Sequence, residues 1–191
     1  MKIFFLLMCI PFFTYSQELK YTGNAGIAVG KNATLKKLMY YKSHTIGYER
    51  WFAYEFQFCF AFGFATIQYD NVSKDHLQLF HTIHYITLPV SIKKDHRLSK
   101  NSSYNLELGF CNNLKLLHKF KYENDSVLFI KNNEYSMSYL LQGSFKSKLY
   151  KNLLIAMGIG IEDDIFHIYK VRTEKLKLKR RFISLSFYRK L

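Results

Sequence analysis

Beyond its first sixteen residues the chain contains no apolar run that approaches the roughly 20 residues of a membrane-spanning helix. Its mean hydropathy, -0.13, is also far too low for a helical membrane protein. Cysteine is scarce: Cys9, Cys59 and Cys111 make no CxxC pair and no Cys/His zinc spacing, which removes the common metal-binding and redox signatures. Carboxylates are short as well, 14 against 28 basic side chains, leaving a net charge of +14. No internal repeat or low-complexity linker divides the 191 residues, so one domain is expected. The pair Gly158-Ile159-Gly160 lacks the following Lys-Ser/Thr of a phosphate loop.

Aromatic residues are abundant, with 18 Phe and 15 Tyr, a bias toward β structure. In YEFQFCFAFGFA, residues 54–65, Phe56, Phe58, Phe60, Phe62 and Phe64 fall on every second position, between small or polar residues. A period of two gives one wholly aromatic strand face. Either that face meets a second sheet in a soluble sandwich, or it meets lipid on the outside of a membrane barrel.

About eight such segments follow one another: 20–30, 43–52, 54–69, 77–93, 103–117, 135–149, 153–162 and 179–190. Ile67 and Tyr69 fall out of phase with the phenylalanines and suggest a bulge or the end of the lipid band. The connections near 53 and 150 are short. Those at 31–42, 70–76, 118–134 and 163–178 are longer, and 94–102 is intermediate. Outer-membrane barrels alternate short periplasmic turns with long outer loops. The pattern therefore predicts an all-β, single antiparallel up-and-down transmembrane barrel of about eight strands. Phe56, Phe58, Phe60, Phe62, Phe64, Leu106, Leu108, Phe110, Ile183, Leu185 and Phe187 are expected to face lipid. Glu49, Glu55, Lys93, Glu107, Lys146 and Glu162 are expected in the lumen, which eight strands leave just wide enough for side chains to fill. Cys59 and Cys111 sit at small-residue positions of their strands. They could pair in an oxidising compartment or face the interior as free thiols.

The N-terminus reads as an export signal: Lys2, an apolar stretch over Ile3–Phe13, then Thr14-Tyr15-Ser16 before Gln17. This predicts a signal peptide at 1–16 and a barrel domain at 17–191. The segments HYITLPVSIKK and YNLELGFCNNLKL resemble the outer-membrane β-barrel domain of Bacteroidota, the group that includes the PorT-like proteins. Tyr85, Leu88, Pro89, Val90, Ile92, Lys93 and then Gly109 carry the likeness, as do the closing strand RRFISLSFYRKL and the signal ending Tyr-Ser-Gln. The resemblance implies a bacterial outer-membrane location and a structural, interaction or secretion-accessory role, with a surface or secretion protein as partner. It also implies that Pro89 lies near a strand end, just before a periplasmic turn.

No catalytic, cofactor or metal constellation emerges. His81 and His84, three apart, face opposite ways on a strand, and His44, His118 and His167 are isolated. Ser184 and Ser186 precede no base, although a lipid-A or phospholipid enzyme on this scaffold would need one near His167, Asp163 and Asp164. The basic excess, densest at 175–181, suits anionic lipopolysaccharide better than nucleic acid in an exported protein. A monomer is expected, with outer-membrane lipid and lipopolysaccharide as its surroundings. A secreted sandwich or lipocalin-like binder is the remaining alternative.

Overall fold

A computed structural model describes residues 17–31, 36–53, 55–72, 78–122, 127–130, 134–165, 169–171 and 174–191. The proposed signal peptide and His167 lie outside them. The elements are β1 (Gln17–Lys31), β2 (Lys36–Ala53), β3 (Phe56–Val72), β4 (Gln78–Arg97), β5 (Ser102–Tyr122), β6 (Val127–Ile130), β7 (Glu134–Tyr150), β8 (Leu153–Asp164), β9 (Tyr169–Val171) and β10 (Glu174–Lys190). Antiparallel pairing runs β1-β2-β3-β4-β5-β7-β8-β10 and closes through β10–β1. The short β6 and β9 pair with the far ends of β5 and β10, beyond the eight-stranded wall.

The register fixes the barrel. Partners followed once around the wall run Glu18, Glu49, Cys59, Ser91, Gly109, Leu140, Glu162, Arg180 and Ala28. The path returns to β1 ten residues beyond its start, and such a stagger requires tilted strands. The same pleat sorts the side chains. Phe56, Phe58, Phe60, Phe62 and Phe64 are all outward and exposed, while Gln57, Cys59, Gly63, Ala65 and Ile67 are buried inside. Small inward residues make room for large ones: the ring of Phe182 lies so close to Gly160 that an added Cβ would sit 2.4 Å from it.

Several boundaries depart from the sequence reading. Strands extend into what reads as connections: 36–42, 70–72, 94–97 and 118–122 belong to β2, β3, β4 and β5, and β6 lies within 118–134. In β2 the alternation persists across Leu38–Lys42, with Leu38, Tyr40 and Lys42 exposed and Met39 and Tyr41 buried. Polar composition there does not end the strand because each polar residue still has a wet or inward face to occupy. Ile67 and Tyr69 mark neither a bulge nor a strand end. The β3–β4 register is constant there, and both side chains point inward, into an apolar cap with Tyr41, Ile83, Tyr85 and Leu178. The β4–β5 connection is a tight turn over 98–101, where Ser99 N–H donates to Ser102 O at 3.0 Å. Pro89 sits inside β4, not near its end. Lacking an N–H, it coincides with a lapse in the β3–β4 ladder between Phe60–Val90 and Gly63–Thr87.

The outward surface carries at least one large exposed apolar side chain from every lane, among them Ile27, Ile46, Phe62, Ile92, Leu108, Phe145, Ile159 and Ile183. A soluble sandwich would bury these, so that reading fails. Placed in a lipid bilayer, Phe62→Arg is expected to cost about 2–4 kcal/mol, whereas Phe56→Arg at the rim should cost no more than about 1 kcal/mol. Denaturant titration of the two variants in lipid vesicles measures that depth dependence; equal costs would show that the ladder does not cross a hydrocarbon layer.

Candidate functional site

The lumen is the most heavily built region of the molecule. Toward the end where β1 begins and β10 finishes, three carboxylates and three ammonium groups are buried together: Glu18, Glu49 and Glu107 with Lys20, Lys93 and Lys146. Glu18 and Glu49 are register partners on adjacent strands, and like charges so placed repel. The repulsion is answered by three lysines. Lys93 on β4 pairs with Glu49, and Lys146 on β7 pairs with Glu18. Lys20 on β1 stands 3.1 Å from Glu49 and 3.2 Å from Glu107 on β5. Ser91 Oγ donates to the other oxygen of Glu107 at 2.5 Å.

Tyr188 from β10 forms the hub of this layer. Its ring lies 4.1 Å from Lys146 Nζ, 4.9 Å from Lys93 Nζ and 5.6 Å from Lys20 Nζ. The electron-rich ring face adds attraction where the three cations crowd each other. Charges sum to zero and the bonds cross the barrel like spokes.

A second cluster lies further along the lumen. Arg180 reaches Glu162 at 2.7 Å and Asp164 at 3.1 Å. Glu162 also accepts from Ser138 at 2.6 Å, Asn113 at 3.1 Å and Tyr41 at 3.3 Å. Between the two clusters a cavity of about 40 Å³ is lined by Thr22, Thr45, Thr87 and Gln142 together with the apolar Leu140 and Phe182. No aqueous passage of molecular width runs through so small a space. At the terminal end the lumen opens into a recess of about 540 Å³ that includes Trp51, Arg97, Lys148 and Lys190.

Of the expected lumen residues, Glu49, Lys93, Glu107, Lys146 and Glu162 are inward and buried. Glu55 is not. It occupies the β2–β3 turn, half-exposed, 3.4 Å from the equally open Lys94, because the register irregularity at Trp51/Ala53 ends the alternation before Phe56. Leu106, Leu108, Phe110, Ile183, Leu185 and Phe187 are outward and exposed, like the Phe ladder. Cys59 and Cys111 are free, buried thiols. Ser184 and Ser186 point inward and bond to Gln142 (2.9 Å) and Thr22 (2.8 Å), so neither meets a base among the described residues.

Sequence reasoning misses Glu18, Lys20, Asp164 and Arg180 as lumen charges, since they sit at strand ends or in a basic run. Strict parity with Thr22 and Ser184 would identify Lys20 and Arg180. It also holds His81 and His118 apart, whereas their ring nitrogens are 3.2 Å apart.

Removing one partner of a buried ion pair strands the other charge. Glu49→Gln is expected to lower stability by about 3–5 kcal/mol, read from the denaturation midpoint in detergent micelles. Glu55→Gln, which breaks the exposed pair with Lys94, should change it by about 1 kcal/mol or less. Equal shifts would show that the lumen pairs are solvated.

No sequence-family model matches the chain, and no curated protein matches it. Solved structures share its architecture, two of them as follows. Neisserial surface protein A, from Neisseria, superposes with a TM-score of 0.54 at 13% identity, over 91% of this chain and 97% of that one. The outer membrane protein OprG from Pseudomonas aeruginosa gives 0.56 at 10% identity, over 93% and 95%. Together with the closed register and the exposed apolar wall, these likenesses establish the fold as a small, eight-stranded barrel of the outer-membrane type.

Proposed function

We propose that this chain is a monomeric bacterial outer-membrane barrel that acts through what its surfaces bind rather than by conducting solutes. The observation that carries this reading is the lumen. Cross-barrel ion pairs, a polar layer and an apolar cap occupy it, leaving a cavity of about 40 Å³. The only surfaces then left for a partner are the wall and the two ends.

The wall favours a lipid environment with anionic headgroups. Toward the end away from the chain termini, outward cations recur among the apolar residues of the wall: Lys42 on β2, Lys121 on β5, Lys179 and Arg181 on β10. Arg181 is anchored by Asp163, at 2.6 Å, which also accepts from Tyr139 at 2.8 Å. This rim suits the phosphates of lipopolysaccharide by simple attraction. The likeness of strands β4, β5 and β10 to PorT-like proteins points the role toward secretion, as an accessory that holds a protein partner. The lipid-modifying enzyme reading gains no support from the partners of Ser184 and Ser186.

Fractionation of cells expressing the full chain tests the location. The protein should sediment with outer membranes and run faster on SDS gels unheated than boiled. A soluble, heat-indifferent band would overturn the proposal.

A further inference from the structure

One feature of β5 serves neither the wall nor the charge layers. Between Lys115 and Leu117 the β4–β5 register shifts: Tyr85 pairs with Lys115 and His84 with Leu117, leaving Leu116 as an extra residue. Below this bulge the inward residues of β5 are Glu107, Gly109, Cys111, Asn113 and Lys115, all odd-numbered. Above it the parity reverses and His118 is buried inside. An unbulged strand would turn His118 outward. Bulges commonly re-aim a side chain in this way.

The re-aimed ring meets His81, the inward residue of β4 at the same end of the lumen. His81 Nδ1 and His118 Nε2 are 3.2 Å apart, with the rings inclined at 41°. Tyr69 stacks flat on His81, centroids 4.3 Å apart and planes within 8°, and so fixes that ring's direction. Two imidazole nitrogens bound tetrahedrally at the usual Zn–N length would stand about 3.3 Å apart. The observed spacing, which also serves a hydrogen bond between the rings, is close to the bite of a two-histidine metal site.

We propose that His81 and His118 form a bidentate site for a divalent transition-metal ion at the capped end of the lumen. Imidazole pairs suit Cu²⁺, Zn²⁺ and Ni²⁺, and the Irving–Williams order places Cu²⁺ first. Tyr69 is the positioning residue. Among the described residues no group of three or more His, Cys, Asp or Glu converges anywhere. No third ligand of these types is therefore in place at the pair among the described residues, and water or an added ligand can complete the coordination. The ammonium of Lys115 acts on His118 from below and opposes a dication, so the site binds more weakly than a four-ligand structural zinc centre.

Cu²⁺ titration of the full protein refolded in detergent, followed by electron paramagnetic resonance, reads the site directly. One ion per barrel with two nitrogen ligands is expected. Affinity should fall at least tenfold in His81→Gln and in His118→Gln, and persist when His44, His84 and His96 are all replaced by Gln. Should either single variant fail to fold, the wild type still decides. Substoichiometric Cu²⁺ should broaden the NMR signals of Tyr69, His81 and His118 before those of His44, His84 and His96. Binding that survives both single variants, vanishes with the outer histidines, or broadens those outer histidines first would overturn the assignment and leave the pair as a hydrogen bond between neutral rings.

Discussion

Everything inside this barrel depends on neutralising charge away from water. Three glutamates and three lysines share one buried layer, and an isolated ion there would cost several kcal/mol. Register partners do not neutralise Glu18, which lies opposite Glu49 and draws its lysine from β7. The lysines come from β1, β4 and β7, so the ion pairs tie distant lanes together around the ring of Tyr188 on β10. Such a network acts on register as much as on stability. A one-residue slip would turn every inward charge of a strand out toward the apolar face. Specification of register by buried charge is attested elsewhere but not universal, and the spoke pattern here is well suited to it.

The outside is the mirror of that constraint. One pleat places phenylalanine, leucine and isoleucine on the wall and Gly, Ser, Thr and charge within, the reverse of a soluble barrel. Closure through β10–β1 removes the sheet edges, and Leu191 N–H donates to Gln17 O at 3.0 Å where the seam ends. With the ladders closed around the ring apart from the lapse at Pro89, the exposed apolar surface is compatible with lipid rather than a liability in water.

Much of this was legible from alternation alone. The Phe ladder, the outward faces of β5 and β10 and five of six lumen charges follow from a period of two. What escaped has local physical causes. Strand ends were drawn too short because Lys, Asn and Asp were read as loop formers, although a strand leaving the apolar layer has water or a polar lumen for them. Glu55 was misplaced because the irregularity at Trp51/Ala53 resets the count. His118 escapes because 118–134 reads as a connection, whereas β5 continues to Tyr122 and the extra residue at Leu116 turns His118 inward. Periodicity carries a strand's faces only as far as the next bulge.

Single-channel recording of the refolded barrel in planar bilayers shows whether the lumen is filled by its own side chains. No stable conductance steps are expected, because the cross-barrel pairs and the apolar cap must all part before ions can pass. Steady ohmic steps from the folded, heat-modifiable protein would contradict it, and would mean that the interior described here is a pore.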